Sequence, residues 1–153
     1  MEISDLLQPE AVISGLKANS KKQALQELAR HAARITGGDD RKILEILLEH
    51  ERLGSTGVGN GIAIPHVKFA ECKKIYGVFA RLDKGIDFAA IDEQPVDLIF
   101  LLLAPEDAGA DHLKALARIS RLLRDATICE KLRGADTADG LYMLLIQSEA
   151  QAA

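Results

Sequence analysis

Four of the twelve glycines of this 153-residue chain fall within one run of eight residues, Gly54-Ser55-Thr56-Gly57-Val58-Gly59-Asn60-Gly61, which leads through Ile62-Ala63-Ile64-Pro65 to His66. Glycine loses more conformational freedom on folding than any other residue, so clustering it is costly unless the backbone needs positive φ or close approach to a ligand. The segment is therefore either a long turn or a binding loop. It fits neither common nucleotide motif. A P-loop needs GxxxxGK[ST], and no lysine stands at that spacing, the nearest being Lys68. A dinucleotide fingerprint needs GxGxxG after a strand and before a helix, whereas these glycines follow a helical pattern and precede a strand-like one. What remains is a run of backbone N–H groups with two hydroxyls, Ser55 and Thr56, suited to an anion-binding concavity of the nest type.

His66 closes that run, directly after Pro65, which fixes φ and has no N–H. A neutral imidazole is a good nucleophile near its ordinary pKa of about 6.5, and the N–P bond it forms is labile enough to hand a phosphoryl group on. Such transfer asks for in-line placement and for donors to the equatorial oxygens. A lone histidine at a strand end is more often structural; the adjoining loop is what argues for chemistry here. His112 opens a later helical pattern that starts near Asp111. A helix's first turn favours anions, so His112 is either a hydrogen-bond donor to a phosphoryl group on His66 or a surface histidine. His31 falls between Leu28 and Ile35 in a helical run and reads as packing. Cys72 and Cys129 lie far apart without a CxxC and read as packing residues, with no metal site.

The elements that must position these residues follow from periodicity. Ser20-Lys21-Lys22-Gln23 fits a capping box, and Leu25, Leu28, Ala29, Ala32 and Ile35 recur at helical spacing until Gly37-Gly38. A second helix starts at Asp39 or Asp40, runs through Ile43, Leu44, Leu47 and Leu48, and stops before Gly54. Residues 62–65, 75–81 and 96–104 are apolar and partly β-branched, as strands are, and the last is apolar on both faces from Leu98, as a central strand is. Three helices follow, opened by Asp111, by Asp125 or Thr127, and by Thr137. Helices, then strands, then helices predict an α/β chain, a single three-layer α/β/α sandwich over residues 1–148 with a flexible tail at 149–153.

Composition narrows the partners. With 19 basic and 23 acidic side chains the net charge is −4, and only four Phe, two Tyr and no Trp are present. Neither a basic surface nor a set of stacking aromatics is evident, which argues against nucleic acid. The apolar run Leu98 to Ala104 is far below the ~20 residues that span a bilayer, and no signal segment opens the chain, so membrane insertion is not expected and a cytoplasmic location is.

The run from Gly54 to His66 resembles the active-site signature of the IIA proteins of the bacterial phosphoenolpyruvate-dependent phosphotransferase system, in the fructose/mannitol class. The resemblance extends from about Ser4 to Ser148, through Ile91-Asp92-Glu93-Gln94-Pro95-Val96-Asp97-Leu98 and the segment from His112 to Arg133, and is closest to the nitrogen-regulatory branch. It implies a three-layer sandwich with a mixed sheet. It further implies that His66 accepts a phosphoryl group from an HPr/NPr-type carrier on Nε2, that His112 supports it, and that no metal or cofactor is required. Ser55, Thr56 and Asn60 are then expected to hold the phosphoryl oxygens. Downstream, the resemblance implies regulatory target proteins or a IIB domain that passes the group to a sugar; a binding module that has lost transfer is a third reading. One departure stands out. Relatives commonly carry Arg sixteen residues before the phosphorylated histidine, where this chain has His50, and Arg52 is a candidate to compensate although it points about 200° away on a helix. His50 otherwise continues the Ile43 and Leu47 face. Val67 also replaces a common Gly.

Overall fold

The structure is a computed structural model that describes the backbone of residues 1–152 and the side chains through Ser148; the tail expected at 149–153 falls on residues whose side chains lie outside the described set. In chain order the elements are α1 (Ile3–Leu6), a 3₁₀ turn (Pro9–Ala11), β1 (Val12–Leu16), α2 (Lys21–Thr36), α3 (Asp40–Leu53), β2 (Gly57–Gly59), β3 (Ile62–Ala63), β4 (His66–Lys68), β5 (Tyr76–Ile86), β6 (Val96–Ala104), α4 (Ala110–Leu123), α5 (Ala126–Arg133) and α6 (Ala138–Ala152).

Local chemistry explains most boundaries. Ser20 Oγ accepts from the Gln23 amide, while the Gln23 side chain reaches back to Asn19 rather than to Ser20, and Gly37 ends α2 in the left-handed region at φ 77°. Asp39 and Asp125 cap α3 and α5 through their carboxylates, and Thr137 Oγ1 accepts from Gly140 N ahead of α6. Gly54 follows α3 as expected, but in extended rather than left-handed backbone.

The six strands form one mixed sheet in the order β1-β5-β6-β3-β2, with β4 also pairing with β6. β1 is parallel to β5, β5 antiparallel to β6, and both β3 and β4 parallel to β6. Strand β6 is thus bonded on both sides, and Leu98 through Ala104 are each fully buried. Helices α2 and α3 pack together and on β5 and β4, whereas α1, α4, α5 and α6 pack together and on β6 and β1, so the sheet lies between two helical layers. The three-layer mixed architecture expected from the sequence is what the chain adopts. β1, with Ser14-Gly15 in its middle, and the four-residue α1 carry too little pattern to be read beforehand.

Candidate functional site

The glycine segment is more ordered than an open loop. Gly57 pairs with Ala63 and Gly59 with Ile62, so β2 and β3 form a hairpin turning at Asn60 and Gly61, whose φ values of 57° and 80° are those of the favoured two-residue turn. Gly57 is needed for a different reason: a Cβ there would stand 2.8 Å from the Ala90 Cβ. Beyond the hairpin, Ile64 N donates to Thr56 O, and Pro65 leads into β4, where His66 stands opposite Leu102. The central buried strand therefore fixes the His66 backbone.

His66 is half-buried, and its Nδ1 lies 2.7 Å from the Ile64 carbonyl oxygen. A carbonyl only accepts, so Nδ1 carries the proton and Nε2 keeps a free lone pair. Two more histidines flank that ring: His50 at 5.4 Å and His112 at 5.8 Å between ring centroids, both edge-on. His50 arrives from the stripe of α3 that buries Ile43 and Leu47, and His112 from the first turn of α4, where it is 7% exposed. Burial, followed by the neighbouring His66, Lys68 and His50, holds the His112 pKa below its ordinary value. His112 Nδ1 is buried with no hydrogen-bond partner, and so is the Thr56 hydroxyl. Buried polar groups of native proteins are nearly always paired, and these two atoms, with Glu51 Oε2, are the buried side-chain atoms left without a partner among the described residues. Among the described residues no three His, Cys, Asp or Glu side chains are arranged to hold a metal ion.

The amide concavity expected from the sequence is not what the segment forms. Three of its N–H groups are already used: Thr56 N donates to Glu51 Oε1 at 3.1 Å, Gly57 N to Ser55 Oγ at 3.1 Å, and Asn60 N to Asp92 Oδ2 at 2.9 Å. Ser55 spends its single proton on the Phe88 carbonyl at 2.9 Å, so it shapes the loop and has no proton left for an anion. Glu51 is the hub that the sequence did not reveal. Its side chain is 5% exposed, pairs with Lys21 Nζ at 2.8 Å, and leaves Oε2 unpartnered; Lys21 Nζ in turn lies 4.7 Å over the Phe88 ring. This cluster binds the start of α2, the end of α3, the loop and the β5–β6 connection into one unit beside His50. Lys21 and Glu51 stand thirty residues apart, and no periodicity links them.

Asn60 and Arg52 are not brought to His66. Asn60 sits at the hairpin tip, where Gly61 O accepts from Asp97 N and Leu98 N, four residues along β6 from the partner of His66 and so roughly 13 Å away. There Arg133 holds Asp97 with Nε at 2.8 Å and the Asn60 carbonyl with NH2 at 2.7 Å. Arg52 lines a surface groove with Lys22, Gln26, Arg41 and Glu49, on the side of α3 turned from His50. His31 is half-buried on α2, its Nδ1 3.4 Å from Arg34 NH2. Cys72 and Cys129 are buried free thiols, and burial raises the Cys72 pKa to about 11. No helix among the described residues is long and apolar enough to cross a membrane.

Residues 5–148 match the family model described as phosphoenolpyruvate-dependent sugar phosphotransferase system, EIIA 2. The chain is 60% identical over 153 residues to a nitrogen regulatory protein of Bradyrhizobium diazoefficiens, covering all of both chains. The crystal structure of nitrogen regulatory protein IIA-Ntr from Neisseria meningitidis superposes with a TM-score of 0.88 at 33% identity, over 94% of this chain and 98% of that one. A complex of mannitol enzyme IIA with phosphorylated enzyme IIB from Escherichia coli shares the fold, with a TM-score of 0.75 at 23% identity over 92% and 98% of the two chains.

Proposed function

The chain belongs to the EIIA 2 family of the phosphoenolpyruvate-dependent sugar phosphotransferase system, and from that premise we propose that it is a nitrogen-regulatory IIA component whose His66 accepts a phosphoryl group from an HPr/NPr-type carrier. The observation that carries this reading is the His66 ring itself, with Nδ1 tied to Ile64 O and Nε2 left as the nucleophile between two further imidazoles. The Nε2–P bond forms as the carrier's N–P bond breaks, and the lone pair returns to the carrier's histidine. Because that transition state is loose, the protein's work is placement and charge stabilisation. The backbone of β4 holds the acceptor in line, and His112, His50 and the Thr56 hydroxyl supply donors to the phosphoryl oxygens. Phosphorylation adds a charge of about −1.5 to −2 at this surface, and binding of regulatory target proteins in a cytoplasmic setting then depends on it.

Transfer onward to a IIB domain is the second reading, supported by the shared fold of the mannitol IIA seen in complex with its IIB. Radiolabelled phosphoenolpyruvate with the general enzyme and the carrier will place acid-labile phosphate on the wild-type protein and none on His66→Ala. Equal labelling of that variant would refute the acceptor assignment, and passage of the label to a IIB protein would favour the transport reading.

A further inference from the structure

We infer that His50 is the proton-accepting residue of the transfer: as the phosphoryl group bonds to Nε2 of His66, the His50 imidazole binds a proton from solvent, so that charging this protein consumes one proton. This rests on His66 being the acceptor. The reaction balances simply: the donor's N–P bond breaks, the Nε2–P bond forms, the electron pair returns to the donor histidine, and the proton moves from water or buffer to His50.

The need for that proton follows from the charges around the ring. The arriving group carries about −1.5 to −2. From β4 the site is faced by His66 and Lys68, from α4 by His112 with Asp111 beside it, and from α3 by His50 with Glu51 and Arg52 adjoining. Glu51 is negative and its charge is matched by Lys21 of α2 at 2.8 Å, so this pair contributes no net cation. Arg52 lies on the far side of α3. Lys68 is exposed and sits on the strand beyond His66, where water screens it. The charge opposite the phosphoryl group must therefore come from a histidine. His112 is buried, which is the main influence against its charged form, whereas His50 is half-exposed, meets the His66 ring edge-on with 5.4 Å between ring centroids, and is open to proton delivery by solvent.

The consequence is a pH-dependent equilibrium. Donor and acceptor are both histidines, so the titrations of the two phosphoryl groups and of the two free rings cancel to first order, and the His50 proton is left over. An anion beside an imidazole favours its charged form, so protonated His50 and phosphorylated His66 favour each other. Where His50 binds its proton only in the phosphorylated protein, the ratio of charged to uncharged protein changes by up to about tenfold per pH unit, in favour of charging at lower pH.

The test uses the full-length protein at equilibrium with phosphorylated HPr-type carrier between pH 6 and 9, with phosphoramidate as a carrier-free donor for labelling only, and measures proton uptake with an indicator in weak buffer near pH 7.5 in the carrier exchange, where the leaving group is itself a histidine. The wild type is expected to lose charging by up to about tenfold per pH unit as the pH rises and to take up about one proton per phosphoryl group. His50→Arg, with its permanent charge, is expected to charge equally well at both ends and to take up none; His50→Gln is expected to be flat and weakly charged. A flat wild-type profile, or a wild-type slope retained in His50→Arg, overturns the assignment. Absence of labelling by either donor at any pH, in wild type as in His66→Ala, overturns the acceptor reading beneath it and the proposal with it.

Discussion

A carboxylate sealed beside an anion site opposes binding unless its charge is matched, and Lys21 is what matches Glu51. Lys21→Met leaves Glu51 without its cation, and we expect a loss of roughly 3 kcal/mol in urea unfolding, toward the low end for a broken buried pair because Lys21 keeps some exposure. Pairing it with Glu51→Gln should restore part of that loss; a double variant no better than the single one would remove the pair from the account. His112 makes a second prediction. Its pKa is lower in the folded protein than in the unfolded chain, so between the two values the unfolded chain binds more protons. The stability this residue contributes is therefore present above about pH 6.5 and is lost as the pH falls below it. His31, lowered by burial and by Arg34, acts in the same direction. Denaturation midpoints from pH 7.5 to 5.5 should fall less in His112→Gln than in the wild type, and an unchanged slope would assign the effect to His31. The same variant should accept phosphate about 10²-fold more slowly, as expected for loss of one preorganised donor.

Among the elements, the β2–β3 hairpin decides where Thr56 and Ile64 stand, and Arg133 pins its tip. A Cβ on Gly61 would lie 2.5 Å from Arg133 NH2 and 2.9 Å from Asp97 Oδ1, at a φ of 80°. Gly61→Ala should therefore cost about 2 kcal/mol and lower Tm by about 4–8 °C. Gly54→Ala, in extended backbone with open space around its Cβ position, should change Tm by less than about 2 °C. Equal effects of the two would mean that the tip is not under this constraint. How much was legible beforehand divides along similar lines. The helices declared themselves through caps and stripes, and β6 through seven consecutive apolar residues, because those signals are local. β1 was silent, since a five-residue strand with Ser14-Gly15 inside it earns its place only by pairing with β5. The glycine run gave away that something demanding was present, and Pro65-His66 gave its chemistry. That Ser55 and three amides hold the loop together, and that Asn60 lies at the far end of a hairpin, depended on partners such as Phe88, Glu51 and Asp92 that are distant in sequence.

For the whole molecule the measurable quantity is charge. The resting net charge is −4, and a phosphoryl group adds about −1.5 to −2. If His50 takes up a proton at the same time, the net change near pH 7.5 is about −0.5 to −1, whereas His50→Gln shows nearly the full phosphoryl charge. Native electrophoresis of charged and uncharged protein should resolve this as a larger mobility step in the variant. Identical steps would leave no room for the compensating proton.

The clasp of Arg133 on Asp97 and Asn60 also has a bearing on biosynthesis. A ribosome delivers His66 well before His112 and later still Arg133, so a nascent chain carries its nucleophile while one flanking imidazole and the fastening of the hairpin are not yet made. On the acceptor role proposed for His66, both flanking imidazoles are present only once the last third of translation has begun, and a fragment released before Arg133 presents His66 to the cell with the hairpin tip unfastened.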